Sequence, residues 1–202
     1  MNKTWGIVAG IGVVVLLIVA WIAGTYNSLV TERENVRGSI NALQSQYQRR
    51  ADLVPNLVNT VKGAADFEQQ TLNQVVEART KATQVKIDAS NATPEQIQAY
   101  QAAQGELSQA LSRLLAITEN YPELKATEAY RDLISQLEGT ENRIQVARAD
   151  YGTAARDYNA KIQRVPTSLI AGLFGFDAFP YFSAENGADK APTVDFETQP
   201  AQ

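Results

Sequence analysis

The sequence predicts an all-α protein in which an N-terminal transmembrane helix precedes an up-and-down four-helix bundle. Residues 5–24 are almost wholly apolar, and apolar residues then recur at helical spacing as far as residue 165. No segment shows the alternation of a strand. The 202 residues are therefore divided into a membrane anchor (1–25), a helical bundle (26–166), an apolar and aromatic segment (167–182) and a disordered tail (183–202).

The composition excludes several kinds of functional site. The chain has no cysteine and no histidine, so disulfides, thiolate nucleophiles and the commonest metal ligands are absent. The net charge of −4 argues against a nucleic-acid-binding surface, which is normally basic. No glycine-rich phosphate loop or nucleophile elbow occurs. We therefore expect no enzyme activity, no cofactor, no metal and no nucleic-acid partner.

Residues 5–24 have the length and composition of a membrane-spanning helix. No charged residue occurs in residues 4–30, and about 20 apolar residues cross the hydrocarbon core as a helix. Trp5, Trp21 and Tyr26 lie near the ends, where aromatic side chains prefer the headgroup region. Because the run is longer than the core of a cleaved signal peptide, we expect an uncleaved single-pass anchor in the lipid bilayer.

Basic residues flank the anchor almost equally, so they leave its orientation open. Lys3 precedes the apolar run, and Arg33 and Arg37 follow it. The short head with one lysine is typical of a signal anchor, which favours an inner-membrane protein whose bundle is exported to the periplasmic side.

The stretch 46–58 is predicted to connect the first two helices. Asp52 is a favourable N-cap, and Pro55 is tolerated in a first turn, where its missing N–H would be unpaired anyway. A second helix is therefore expected from about Leu53. The alternative is a single long helix kinked at Pro55, which gives a three-helix arrangement.

The third helix has the clearest start, because Thr93 and Pro94 precede Gln96 in a capping-box pattern. A fourth helix from Pro122 to residue 165 would be about 65 Å long, against about 40 Å for the first helix above the membrane. Either this helix breaks, with Gly152 as the best candidate, or its last part enters the membrane interface.

In an up-and-down bundle, the first and third turns lie at the same end. We therefore expect the polar residues of both turns to meet at the bundle end farthest from the membrane, with a salt bridge from Arg49 or Arg50 to Glu119 or Glu123. The candidate partner-binding residues are Arg49, Arg50, Asp52, Glu119, Asn120 and Tyr121. No residue is assigned a catalytic, cofactor-binding or metal-binding role.

Two further features leave alternatives open. Glu141 and Arg148 are one seven-residue step apart beside the apolar face of the fourth helix, so an acid–base pair is conceivable, but a structural ion pair is favoured. Residues 169–182 are apolar and aromatic but too short to span a membrane. They either pack on the end of the bundle, lie in the membrane interface, or bind a partner.

Several motifs closely resemble those of the bacterial LemA proteins. They are YNSLV at 26–30, the run 46–58, ENYPELK at 119–125, EGTENRI at 138–144, Ala147-Arg148, YN at 158–159 and FGF at 174–176. The resemblance covers residues 1–182 and implies a membrane-anchored helical bundle of the bacterial envelope. One departure is Tyr151-Gly152, where the family usually has Tyr-Asn.

These observations predict a membrane-anchored, non-enzymatic scaffold or adaptor for other membrane or envelope proteins. The alternative is a sensor or carrier that binds a small apolar ligand or lipid. A large cavity lined by Tyr100, Tyr130 and Tyr158 would favour that alternative.

Overall fold

The computed structural model describes residues 2–63 and 68–183, with side chains from residue 5 onward, and this part of the chain is helical without strands. The predicted all-α fold class is therefore confirmed. The helices are α1 (Asn2–Lys62), α2 (Gln69–Gln84), α3 (Pro94–Thr118), α4 (Pro122–Ala126), α5 (Glu128–Gln163) and α6 (Thr167–Phe174).

Four of these helices, α1, α2, α3 and α5, form the predicted up-and-down bundle. Ion pairs join the early part of α1 to the late part of α5 (Glu32–Lys161) and the later part of α1 to the earlier part of α5 (Arg50–Glu141). The two helices are therefore antiparallel. α2 packs on α3 and more lightly on α1.

The first helix does not end where the sequence predicted. α1 continues through Pro55 to Lys62, so Asp52 is not an N-cap and no helix begins at Leu53. Proline cannot donate a hydrogen bond to the carbonyl four residues earlier, which usually breaks a helix. Here the Ala51 carbonyl instead accepts a 2.8 Å hydrogen bond from Nε of Arg79 on α2. A side chain of another helix thus replaces the missing backbone donor.

The fourth predicted helix breaks at Thr127, not at Gly152. Thr127 ends α4 and caps α5, where its side chain accepts from the backbone N–H of Tyr130. Because α1 extends to Lys62, its part beyond the anchor (26–62) matches the 36 residues of α5, at about 55 Å each. The predicted length mismatch disappears. The predicted Thr93 cap is confirmed, since its side chain accepts from Gln96 N at 3.3 Å.

The bundle interior consists of two apolar clusters stacked along α1 and α5. The proximal cluster lies toward the anchor and includes Leu29, Ile40, Tyr47, Tyr100, Ile144, Tyr151, Tyr158, Ile170 and Phe176. The distal cluster lies toward the other end and includes Val54, Val61, Leu72, Leu107, Leu114, Leu124, Tyr130 and Leu137.

The segment after α5 packs back onto the proximal cluster. Its aromatic rings at 176, 179 and 182 contact Tyr26, Tyr158 and Tyr151 edge to face. The side-chain amide of Asn159 pairs with both backbone polar groups of Phe179, at 2.8 and 2.9 Å. Three alternatives were open for this segment: packing on the bundle, lying in the membrane interface, or binding a partner. Residues 175–183 pack on the bundle. The rest of the predicted disordered tail, 184–202, lies outside the described residues.

Candidate functional site

The six predicted partner-binding residues lie in two separate places. Arg49, Arg50 and Asp52 lie in the middle of α1, whereas Glu119, Asn120 and Tyr121 form the turn between α3 and α4. The predicted meeting of the two groups is wrong, because α1 continues past Asp52 to Lys62. Asp52 is 11 residues before Gly63, which is about 16 Å along the helix.

The predicted salt bridge from Arg49 or Arg50 to Glu119 or Glu123 is also wrong. The Glu119 carboxylate pairs with Lys125 at the same end of the bundle, and Asp52 accepts a 2.7 Å hydrogen bond from Gln48 within α1. The acidic partner of Arg50 is Glu141 on α5, at 3.0 Å. Glu119 of the α3–α4 turn is therefore paired with a residue of α4 and not with one of α1.

Arg50 is buried between the two apolar clusters, where only 3% of its surface is exposed. Its guanidinium donates four hydrogen bonds that join α1 to α3 and α5. They go to Ser108 Oγ (2.8 Å), Glu141 Oε2 (3.0 Å), Gln104 Oε1 (2.9 Å) and the Gln104 carbonyl (3.1 Å). The Gln104 amide in turn donates to the Ala82 carbonyl of α2 at 3.0 Å. All four bundle helices therefore meet in one polar layer.

The sequence carries a signal for this layer that was missed. Core residues of α1 are spaced by three or four from Val36 to Val61, and Arg50 occupies one of these positions between Tyr47 and Val54. Gln104 likewise continues the buried face of α3. A charged residue that is buried usually has a polar partner. The presence of Arg50 and Gln104 at core positions therefore indicates a buried polar layer.

Glu141 and Arg148, the conceivable acid–base pair, contact different groups. Glu141 is bound by Arg50, while the Arg148 guanidinium lies over the Phe182 ring, 5.5 Å from its centre. Burial raises the pKa of Tyr100 above its usual value; nearby Tyr47 adds to this shift and Arg50 opposes it. Tyr100 is therefore neutral near pH 7. Within residues 2–63 and 68–183, no three acidic side chains come together as metal ligands.

A groove of about 590 Å³ lies beside the polar layer, between α1, the end of α2 and the first half of α3. Its walls include Gln44, Gln48, Arg49, Asp52, Lys86 and Tyr100. Most of the residues that line the groove have hydrogen-bonding or charged side chains. The rings of Tyr47 and Tyr100 also line it. Arg49 and Asp52, two of the predicted residues, are exposed here rather than at the bundle tip.

Gln44 shows how this wall can bind an extended chain. Its side-chain amide donates to the Ile87 carbonyl at 3.1 Å and accepts from the Ile87 N–H at 3.3 Å. One glutamine therefore satisfies both backbone groups of a residue in the loop between α2 and α3. Gln48 lies one helical turn further along the same wall.

The apolar part of α1 and the relatives indicate a membrane-associated protein. α1 is long and apolar enough in its first part to cross a membrane, so the chain is a membrane-associated protein. It is 29% identical over 195 residues to Magnetosome protein MamQ 2 of Paramagnetospirillum magneticum, covering 87% of this chain and 72% of that protein. It is 22% identical over 148 residues to Protein LemA of Metamycoplasma hominis, covering 73% of this chain and 64% of that protein. A sequence profile of the LemA family matches residues 39–196, and the chain belongs to the LemA family.

Proposed function

We propose that this protein is a membrane-anchored, non-enzymatic adaptor that binds a segment of a partner protein in the groove between α1, α2 and α3. The observation that carries the proposal is the groove itself, with exposed Gln48, Arg49 and Asp52 on its wall. These side chains offer donors and acceptors for a peptide backbone and charges of both signs for its side chains.

The polar layer supports this role because it holds the groove walls in a fixed arrangement. Arg50 and Gln104 join the helices behind the groove through buried hydrogen bonds. A preformed surface loses little conformational entropy on binding. Of the helices that line the groove, α1 is continuous with the apolar N-terminal segment, so a bound partner would be held near the membrane.

The alternative role, binding of a small apolar ligand, has less support. Tyr100 and Tyr158 belong to the proximal cluster and Tyr130 to the distal cluster. These tyrosines are packed among apolar side chains in separate places, whereas a carrier of this kind would have them around one cavity.

For the location, we propose a single-pass protein of the inner membrane with the bundle on the periplasmic side. The apolar segment of α1 and Lys3 before it support this orientation. A C-terminal fusion to a reporter that is active only in the cytoplasm tests it. An active reporter would refute the exported orientation.

Photo-crosslinking in native membranes tests the adaptor role. A photoreactive amino acid replaces Gln48 in the groove, and the matched control replaces Gln145, an exposed glutamine of α5 at a similar height. We expect a reproducible protein adduct from position 48 that is weak at position 145. Arg49→Glu should reduce that adduct, whereas the same change at exposed Arg131 should not. Equal adducts at positions 48 and 145 would contradict the proposal.

A further inference from the structure

Helix α6 has an apolar face that the described part of the chain leaves uncovered. Ile170 and Ala171 are buried against the bundle, whereas Leu169 and Leu173 are 70% and 76% exposed. The two leucines are four residues apart, so they lie on the same side of the helix, one turn from each other. Exposed apolar surface of this kind commonly marks a contact with another apolar phase.

The position of α6 shows which phase is available. The ring of Phe174 lies edge to face with Tyr26 of α1, with 5.0 Å between ring centres. Tyr26 follows the apolar run of α1 by two residues, and Ile22 inside that run packs against the proximal cluster, which also contains Ile170. Side chains 5–21 are exposed, as expected of a segment surrounded by lipid. α6 is therefore at the level where α1 leaves the hydrocarbon core.

The charges around α6 also suit a lipid surface. No acidic residue occurs in residues 164–176, and Arg164 is exposed just before the helix. Cations beside an apolar helix face are attracted to anionic lipid headgroups. Long basic side chains can also extend toward the headgroups while the apolar residues enter the bilayer.

We propose that α6 is a second membrane contact, which inserts Leu169 and Leu173 into the boundary between headgroups and acyl chains of the bilayer that α1 crosses. Apolar helix faces enter this boundary in the plane of the membrane. α6 has only eight residues, so it adds to the anchor and does not replace it. Its contact sets the height and tilt of the bundle above the bilayer. This inference does not depend on partner binding in the groove.

Because the chain has no cysteine, single spin labels can be placed on the full-length protein without removing native thiols. We choose Leu169→Cys and Leu173→Cys in liposomes of phosphatidylcholine and phosphatidylglycerol, with no other protein. The matched control is Val146→Cys, because Val146 is an apolar α5 residue that is also exposed, at 61%. It lies 17 residues before Gln163, the last residue of α5, which is about 25 Å along the helix away from the membrane. Val15→Cys reports the hydrocarbon core.

The measurement is the ratio of collision rates with oxygen, which dissolves in lipid, and with a water-soluble nickel chelate. We expect this ratio to be severalfold higher at positions 169 and 173 than at 146, and below the value at 15. Circular dichroism shows that each labelled protein is folded. Ratios at 169 and 173 equal to that at 146 would overturn the proposal. So would dipolar broadening between labels at 173, because it would mean that a second copy of the chain covers this face.

Discussion

The buried Arg50 gives the sharpest test of how the bundle is held together. Arg50→Met keeps much of the side-chain volume but removes the four hydrogen bonds to Gln104, Ser108 and Glu141. The carbonyl and amide oxygens of Gln104 would then lose a charged donor in a place that water reaches poorly. Glu141 would suffer less, because its side chain is 47% exposed and can be hydrated.

The size of the effect follows from these exposures. A hydrogen bond from a charged donor to a buried acceptor contributes about 1.5–3 kcal/mol, whereas a partly exposed ion pair contributes about 0–1 kcal/mol. The desolvation of the guanidinium offsets part of this sum. We expect Arg50→Met to lower the free energy of unfolding by about 2–4 kcal/mol.

Urea unfolding of the full-length protein in a mild detergent, followed by far-ultraviolet circular dichroism, measures this change. The matched control is Arg49→Met, the same substitution at the exposed neighbouring position, with an expected change within about 0.5 kcal/mol. If the two substitutions cost the same, the buried layer does not stabilise the bundle and the reasoning is refuted.

Three further predictions concern single contacts in the same unfolding assay. The buried Tyr158 hydroxyl has no hydrogen-bond partner among residues 5–63 and 68–183, so Tyr158→Phe should leave stability unchanged or raise it by up to about 1 kcal/mol. Tyr151→Phe, which loses the bond to the Pro180 carbonyl, should instead cost about 1–2 kcal/mol. The opposite order would contradict the assigned bonds. Arg79→Met should cost about 1–2 kcal/mol of unfolding free energy in the natural chain. It should cost clearly less after Pro55→Ala, because alanine supplies a backbone N–H to the Ala51 carbonyl. Equal costs would exclude Arg79 as the replacement donor. Burial raises the pKa of Tyr151 to about 12, whereas in the unfolded chain its hydroxyl ionises near pH 10. The contribution of Tyr151 to the free energy of unfolding is therefore complete below pH 10. Between pH 10 and pH 12 it falls by up to about 1.4 kcal/mol per pH unit, because only the unfolded chain is ionised there. Tyr151→Phe should therefore show a shallower loss of stability from pH 10 upward.

The sequence predicted the fold class and the start of α3 because these depend on local patterns. Helical periodicity and the Thr93 cap act over a few residues, and both are found in the structure. The continuation of α1 through Pro55 could not be read in this way, since the donor that replaces the missing N–H is Arg79, which belongs to another helix. Local sequence patterns predict a helix boundary at Asp52 and Pro55, because they do not include a hydrogen-bond donor from another helix.

The candidate site was misplaced for the same reason. A connection within residues 46–58 places Arg50 at an exposed tip, although its spacing from Tyr47 and Val54 is that of a core residue. Glu141 was considered only with a neighbour on its own helix, Arg148, because its true partner is 91 positions away in sequence. Which residues meet across a bundle depends on the register between the helices. When a turn is placed at the wrong residue, every predicted pairing between the two helices that it joins is shifted.

The unbroken path of α1 also gives the protein a lever arm. From residue 24 to Lys62 the helix extends about 57 Å beyond the apolar segment, so a change of about 10° in the tilt of the anchor would displace the far end by about 10 Å. The position of the bundle's far end would therefore depend on the tilt of the anchor, which varies with the thickness of the bilayer. A small change in the tilt of the anchor would thus produce a large displacement of the far end of the bundle.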